Sequence, residues 1–269
     1  MIEEKLKTSR EGGYHMGKVI SVVNQKGGVG KTTTVVNLAA SLHSLNYKVL
    51  VVDMDPQGNA SSGSGIEKNK VAHTVYDFLI GNIKINETIY EAPAEGFHVI
   101  PANMNLAGAS MEISNLPKRE FILLKGLEDI RDQYDYIIID CPPAVNLLTI
   151  NSLTASDSVI IPMQCEYYAL EGISQLMQTI KLVKQRTNKG LGLEGILFTM
   201  YDSRTNLSKQ VIDEVNQHFA KYVYETKISR SVRLSEAPSY GISCITYAPK
   251  SKSAEQYLDF TKELLERNL

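Results

Sequence analysis

The sequence predicts an α/β protein built on a single doubly wound, mostly parallel β-sheet flanked by helices. Three observations predict it. Short runs such as Val19-Ile20-Ser21-Val22-Val23, Val49-Leu50-Val51-Val52 and Ile137-Ile138-Ile139 are apolar without alternation, as strands covered on both faces are. Segments of helical spacing separate these runs, so strands and helices alternate along the chain. Two of the runs end in an acid, Asp53 and Asp140, and a third runs into a glycine-rich turn. Ligands of such sheets sit at the carboxyl ends of the strands.

Taken in order, residues 1–17 contain Gly12-Gly13 and no apolar period, and are expected to be a flexible extension too short for a helix-turn-helix domain. Residues 18–269 are expected to form the folded domain. Lys18–Asn24 reads as the first strand. Thr32–Leu45 reads as a helix, with Val35, Leu38, Ala39 and Leu42 on one face and Asn46 as its stop. Lys48–Asp53 is a second buried strand, which completes a βαβ unit. Residues 54–65, rich in Gly, Ser, Asn and Pro, read as a mobile loop at the carboxyl edge. A short helix is expected over Thr74–Ile80, with Thr74 as N-cap. Phe97–Pro101 reads as a strand, and Leu106–Ile113 and Glu120–Arg131 as helices. Tyr136–Asp140 is the clearest central strand, stopped by Cys141-Pro142-Pro143. Asn146–Ala155 is a helix, Ser158–Pro162 a strand, and Leu170–Arg186 a helix whose Ile173, Leu176, Met177, Ile180 and Val183 form a core stripe. Leu193–Thr199 is a strand and Leu207–Phe219 a helix. Lys221–Thr226 reads as extended and Ile228–Tyr240 as a loop or short turns. The last helix, Ala254–Leu265, places Ala254, Tyr257, Leu258, Thr261, Leu264 and Leu265 on one face.

The chain has 269 residues, 43% of them hydrophobic, which suffices for one large core or two small ones. Neither an internal repeat nor a linker divides it. A run of about 18 apolar residues, which a membrane helix needs, is missing, and the polar start lacks a signal-peptide centre. A cytoplasmic protein is the expectation. Cys141, Cys165 and Cys244 are scattered without C-x-x-C spacing and read as small buried or half-buried thiols. The formal net charge of −2 argues against a polybasic nucleic-acid binder, yet Lys181–Lys252 holds twelve Lys and Arg against six Asp and Glu. That segment is either one polyanion-binding face or an ordinary solvated surface; charge alone does not choose.

The chemistry centres on Lys26-Gly27-Gly28-Val29-Gly30-Lys31-Thr32-Thr33. A glycine-rich turn between strand and helix aims backbone N–H groups at a phosphate chain, and the helix dipole adds attraction. Lys31 is placed to reach the terminal phosphates and the Thr32 hydroxyl to ligate Mg²⁺. If the three strands are neighbours, Asp140 stands where an acid serves the metal; a turn or cap acid is the alternative. Asp55 is placed to orient an attacking water, although an Asp-Pro pair also simply makes turns. Lys26 is an extra lysine; taken alone it reads equally as one more phosphate contact within its own subunit.

With these residues the chain resembles the ParA/Soj family of chromosome- and plasmid-partition ATPases, in the MinD/ParA superfamily. Lys26–Thr33 looks like its deviant Walker A loop. Asp53–Ala60 and Ile139–Pro143 resemble its companion motifs, and Thr199–Leu207 and Arg233–Gly241 look like further family segments. The likeness runs from Lys18 to the C-terminus and implies a P-loop NTPase fold, ATP and Mg²⁺ as cofactors, and ATP hydrolysis. By that resemblance Lys26, Lys31 and Asp55 are catalytic, Lys26, Gly27, Gly28, Val29, Gly30, Lys31, Thr32 and Thr33 hold the nucleotide, and Thr32 and Asp140 serve the metal. It also implies an ATP-dependent homodimer in which Lys26 reaches the partner's phosphates. The dimer would bind double-stranded DNA without sequence preference through Arg204 and Arg233, on the nucleoid, and a ParB-type centromere-binding partner would stimulate hydrolysis. A surface ion pair is the alternative use of each arginine. Adenine contacts are expected near Met200 and within Ile228–Pro238.

A MinD-like division-site ATPase is the competing reading, since it shares the early lysine. It would carry a basic amphipathic membrane helix at its end, whereas here Glu255, Asp259, Glu263 and Glu266 face Lys262 and Arg267. No membrane partner is therefore expected. A nitrogenase-reductase-like cluster protein would need paired cysteines that Cys141 and Cys165 do not match in context.

Overall fold

The computed structural model describes residues 16–167 and 169–269. Its sheet consists of β1 (Lys18–Val22), β2 (Val49–Asp53), β3 (Tyr90–Glu91), β4 (His98–Ile100), β5 (Tyr136–Asp140), β6 (Ser158–Gln164) and β7 (Gly192–Thr199). The strand order is β3-β4-β2-β5-β1-β6-β7, and every pairing is parallel except β3 with β4. The helices are α1 (Lys31–Ser44), α2 (Asn59–Gly63), α3 (Val75–Leu79), α4 (Leu106–Glu112), α5 (Ile122–Glu128), α6 (Leu147–Ala155), α7 (Ala169–Arg186), α8 (Asn206–Phe219), α9 (Val232–Glu236), α10 (Cys244–Tyr247) and α11 (Lys252–Arg267). The predicted doubly wound sheet is present.

The unbroken apolar strands are explained by two cores. Ile137 and Ile139 of β5 join one, with Leu148 and Leu153 of α6 and Ile173, Leu176, Ile180 and Val183 of α7. Ile138 joins the other, with Leu38 and Leu42 of α1 and Tyr257, Phe260 and Leu264 of α11. Successive strand residues point to opposite faces, so both must be apolar when both faces are covered. Complete burial of one such side chain is worth about 1.5–3 kcal/mol.

Most predicted boundaries fall within two residues of the observed ones. Asn46 does end α1, at φ 65, and Thr74 does cap α3 in a capping box with Asp77. Four local readings change. The expected loop 54–65 contains α2, and Gly58 precedes it in the left-handed region. Residues 221–226, expected to be extended, begin inside a 3₁₀ turn, Ala220–Tyr222, before Val223 forms a single bridge to Ile196. The helix expected over 120–131 shrinks to α5 between two 3₁₀ turns. On α11, Phe260 is buried and Leu258 only half-buried, which rotates the stripe slightly. The two-residue β3 is too short to show a period.

The expected extension lies outside the described residues as far as residue 15. Gly17 is already tied to the domain, since its N–H donates to the Arg131 carbonyl at 3.2 Å and its carbonyl accepts from Arg131 Nε at 2.6 Å. No helix among the described residues is long and apolar enough to cross a membrane.

Candidate active site

β5 lies between β1 and β2, and its last residue, Asp140, is in register with Val22 on one side and Asp53 on the other. The glycine loop after β1, the acids at the end of β2 and just beyond it, and the acid ending β5 therefore meet at one carboxyl edge.

The loop is held by its carbonyls. Gln164 Nε2 donates to the Gly28 carbonyl at 2.7 Å, and Thr199 Oγ1 donates to that of Val29 at 2.8 Å. Asn24 anchors the loop's start, accepting from the Lys26 N–H at 3.0 Å and donating to the Pro162 carbonyl at 2.8 Å. Gly28 and Gly30 take φ of 74 and 84, which side chains disfavour. With carbonyls so engaged, N–H groups remain for a ligand. The start of α1 agrees: no side chain caps it. By contrast Asn146 caps α6 and Ser251 caps α11. An uncapped helix start after a glycine loop is an anion site.

Opposite charge lines the floor. Asp140 is fully buried, and its Oδ2 accepts from Thr32 Oγ1 at 2.7 Å. Its Oδ1 has no hydrogen-bond partner among the described residues. Burial first, and the Asp53 carboxylate second, push Asp140 well above the usual carboxylate range, while the Thr32 hydroxyl pulls the other way. Asp53 is also fully buried and is pushed up to about 6 by burial, against hydrogen bonds from Ser61 and the Asp55 N–H. Two buried carboxylates with one orphaned oxygen are costly without a cation. Thr32 and Asp140 thus fit a Mg²⁺ ion, which prefers oxygen donors and keeps part of its water shell. Lys31 is buried and donates to the Lys26 carbonyl at 3.2 Å; burial lowers its pKa despite the nearby acids.

The remaining predicted residues fall as follows. Thr33 and Gly30 line a cavity of about 120 Å³ with Met200, Ile228, Ser229 and Leu234. It adjoins the loop, and both segments expected to face adenine contribute to it. Lys26 is exposed, and its ammonium pairs with Glu166 of its own chain. Asp55 is half-buried, and its Oδ1 accepts the Gln57 N–H at 2.9 Å. Arg204 and Arg233 are exposed; the first is bidentate to Asp202 at 2.7 and 2.9 Å and the second pairs with Glu236 at 2.9 Å. They follow segments joined by a parallel bridge between Tyr201 and Ser229, so they belong to one region of the carboxyl edge. A larger open cleft of about 800 Å³ runs between β7 and residues 220–225. It is not lined by the glycine loop or by either buried acid.

Sequence reasoning missed Asn24, Gln164, Thr199 and Glu166. All four lie at or just beyond strand ends, and their polar side chains after apolar runs were the available signal.

The site and fold define a P-loop ATPase with a second lysine at the head of its loop. A family model described as an AAA domain matches residues 17–193. The chain is 56% identical over 249 residues to the sporulation initiation inhibitor protein Soj of Bacillus subtilis, covering 93% of this chain and 98% of that one. It is 52% identical over 253 residues to the chromosome partitioning protein ParA of Myxococcus xanthus, covering 94% and 89%. The crystal structure of cobyrinic acid a,c-diamide synthase from Mycobacterium smegmatis with bound ATP analogue and magnesium aligns with a TM-score of 0.79 at 37% identity, covering 91% and 93%. The chain belongs to the ParA/Soj family of ATPases, and its cofactors are ATP and Mg²⁺.

Proposed function

We propose that this ATPase partitions DNA, chromosomal or plasmid, through an ATP-dependent homodimer that binds double-stranded DNA without sequence preference. A ParB-type partner stimulates hydrolysis and resets the cycle. The observation that carries this reading is the different placement of the two loop lysines. Lys31 is buried within its own loop, whereas Lys26 is exposed and rests on Glu166 outside it. A lysine that its own cradle does not use is available to a second subunit. The ParA relative, named for chromosome partitioning, supports this cellular role.

In this reading the loop N–H groups and Lys31 hold the phosphates, and the cavity beside Met200 takes the adenine. Bound Mg²⁺ spreads the charge of the phosphates. Thr32 and Asp140 would hold the ion. Asp55 orients the attacking water, and Lys26 crosses to the partner's phosphates. Phosphoryl transfer asks for little more than such positioning and charge stabilisation. Arg204 and Arg233 exchange their exposed carboxylate partners for DNA phosphates.

The MinD-like alternative is disfavoured by the 52% identity to a chromosome partitioning ParA. The apolar stripe of α11, Tyr257, Phe260 and Leu264, is spent on the core beside α1. The deciding experiment measures ATP hydrolysis and sedimentation with and without nonspecific DNA and a candidate ParB-type protein. ATP-dependent dimers that bind DNA, and hydrolysis accelerated by both additions, are expected. A monomer in saturating ATP with turnover indifferent to DNA would overturn the proposal.

A further inference from the structure

Asp55 sits in a turn that two other residues hold. From below, Asp53 reaches it with both carboxylate oxygens: Oδ1 accepts the Asp55 N–H at 3.1 Å, and Oδ2 accepts both the Ser61 N–H at 2.8 Å and Ser61 Oγ at 2.7 Å. Ser61 Oγ in turn accepts the Ala102 N–H at 2.9 Å, which ties the far end of the turn to the chain leaving β4. From above, Lys68 Nζ donates to the Gln57 carbonyl and, at 3.1 Å, to the Gly58 carbonyl. Between them the turn closes on itself, with the Gly58 N–H donating to the Asp55 carbonyl at 2.8 Å. There is no slack at its apex, because a Cβ on Gly58 would stand 2.3 Å from the Ala102 carbonyl oxygen. A segment whose composition promised mobility is therefore clamped at three points.

Such a clamp has a cost that folding alone does not explain. Asp53 is fully buried and in register with the buried Asp140, so its carboxylate is held next to another acid. An asparagine would remove that repulsion but could accept on one side only, with its NH2 turned against the donors on the other. What a carboxylate adds is acceptor-only strength toward three donors at once, and charged acceptors make the stronger bonds.

We propose that Asp53 and Lys68 are positioning residues for ATP hydrolysis, which act by fixing Asp55 in its turn. This rests on the reading of Asp55 as the residue that orients the attacking water. A displacement of about 1 Å in such a group costs on the order of 100-fold in rate. Neither residue belongs to the glycine loop, so nucleotide affinity is not their concern.

The test is a double-mutant cycle on ATP turnover at saturating Mg–ATP, with nucleotide affinity measured in parallel. Asp53→Asn and Lys68→Met should each lower kcat about 10-fold or more and leave the ATP dissociation constant within about twofold. In an Asp55→Ala background neither should lower the residual rate further, since there is then no carboxylate to position. Lys68 is only half-buried, so Lys68→Met keeps the test usable should Asp53→Asn fold poorly. Lys68→Arg, which keeps the donors, should recover most of the rate. Unchanged kcat in Lys68→Met and Asp53→Asn, or losses that multiply with that of Asp55→Ala, would overturn the clamp alone. Full turnover by Asp55→Ala itself would overturn the reading of Asp55, and the clamp with it.

Discussion

Thr32 and Asp140 are joined by a 2.7 Å hydrogen bond from hydroxyl to carboxylate, across the gap between the start of α1 and the end of β5. It links the helix that follows the phosphate loop to a fully buried acid of the sheet. The other oxygen of Asp140 has no partner among the described residues. Removal of the carboxylate charge should therefore be felt as a loss of metal, not of fold. Asp140→Asn is expected to keep its thermal stability or gain slightly, because a repulsion with Asp53 disappears. Its ATPase rate should fall by about 100-fold or more, partly recoverable at high Mg²⁺. Melting curves and a Mg²⁺ titration of the rate check both halves.

Lys26 and Lys31 should separate cleanly. Lys31 is buried among the loop carbonyls, so Lys31→Ala is expected to weaken ATP binding by about 100-fold in equilibrium titrations. Lys26 lies outside its own cradle, so Lys26→Ala should bind ATP within about threefold of the parent while remaining monomeric by sedimentation. Its partner supplies a second check. Glu166→Gln releases the Lys26 ammonium from an exposed pair and should leave ATP binding intact while shifting the ATP-dependent monomer–dimer balance toward dimer. Weak ATP binding by Lys26→Ala would place both lysines on the same phosphates.

Cys141 gives a pH-dependent signature. Burial pushes its thiol up to about 12. The native protein then keeps a proton that the unfolded chain gives up, so stability is present below about pH 9 and is lost as pH rises toward 12. The loss approaches about 1.4 kcal/mol per pH unit in that window. Tyr134, also pushed up to about 12 by burial, adds to it from about pH 10 upward. Cys141→Ser removes the thiol and leaves Tyr134, so the difference between the two denaturation profiles isolates Cys141. At pH 8 a thiol reagent should label half-buried Cys165 in preference to buried Cys141 and Cys244.

How far the sequence could be read follows from what each feature depends on. The sheet was legible because burial on both faces forces continuous apolar runs, and Tyr136–Asp140 came out to the residue. The phosphate loop was legible because φ of 74 and 84 at Gly28 and Gly30 is a backbone demand that residue type reveals. The turn of Asp55 was not legible, since Asp53, Ser61, Lys68 and Ala102 meet only after β2 and β4 pair. Composition showed Gly, Ser, Asn and Pro and promised mobility, whereas long-range hydrogen bonds hold the turn. The pairing of Lys26 with Glu166 spans 140 residues and was equally out of reach.

Arg204 and Arg233 carry the prediction that ties the nucleotide site to DNA. Both are exposed; Arg204 pairs with Asp202, Arg233 pairs with Glu236 beside Tyr247, and the Arg204 guanidinium pulls Asp202 down to about 2. Exposed pairs of this kind are readily exchanged, and a DNA phosphate offers the same bidentate geometry to the guanidinium. Arg233→Glu should keep ATP-dependent dimerisation and lose DNA retention. Arg204→Ala and Arg233→Ala should each weaken binding to unrelated DNA sequences alike. The informative measurement is the salt dependence. Each phosphate contact contributes about 0.9 to the slope of log affinity against log salt concentration, and a dimer loses two contacts per substitution. Each alanine variant should therefore flatten the slope by about 2, and the double variant by about 4. An unchanged slope would mean that the two arginines serve only their surface carboxylates and that the basic stretch from Lys181 to Lys252 meets DNA elsewhere or not at all.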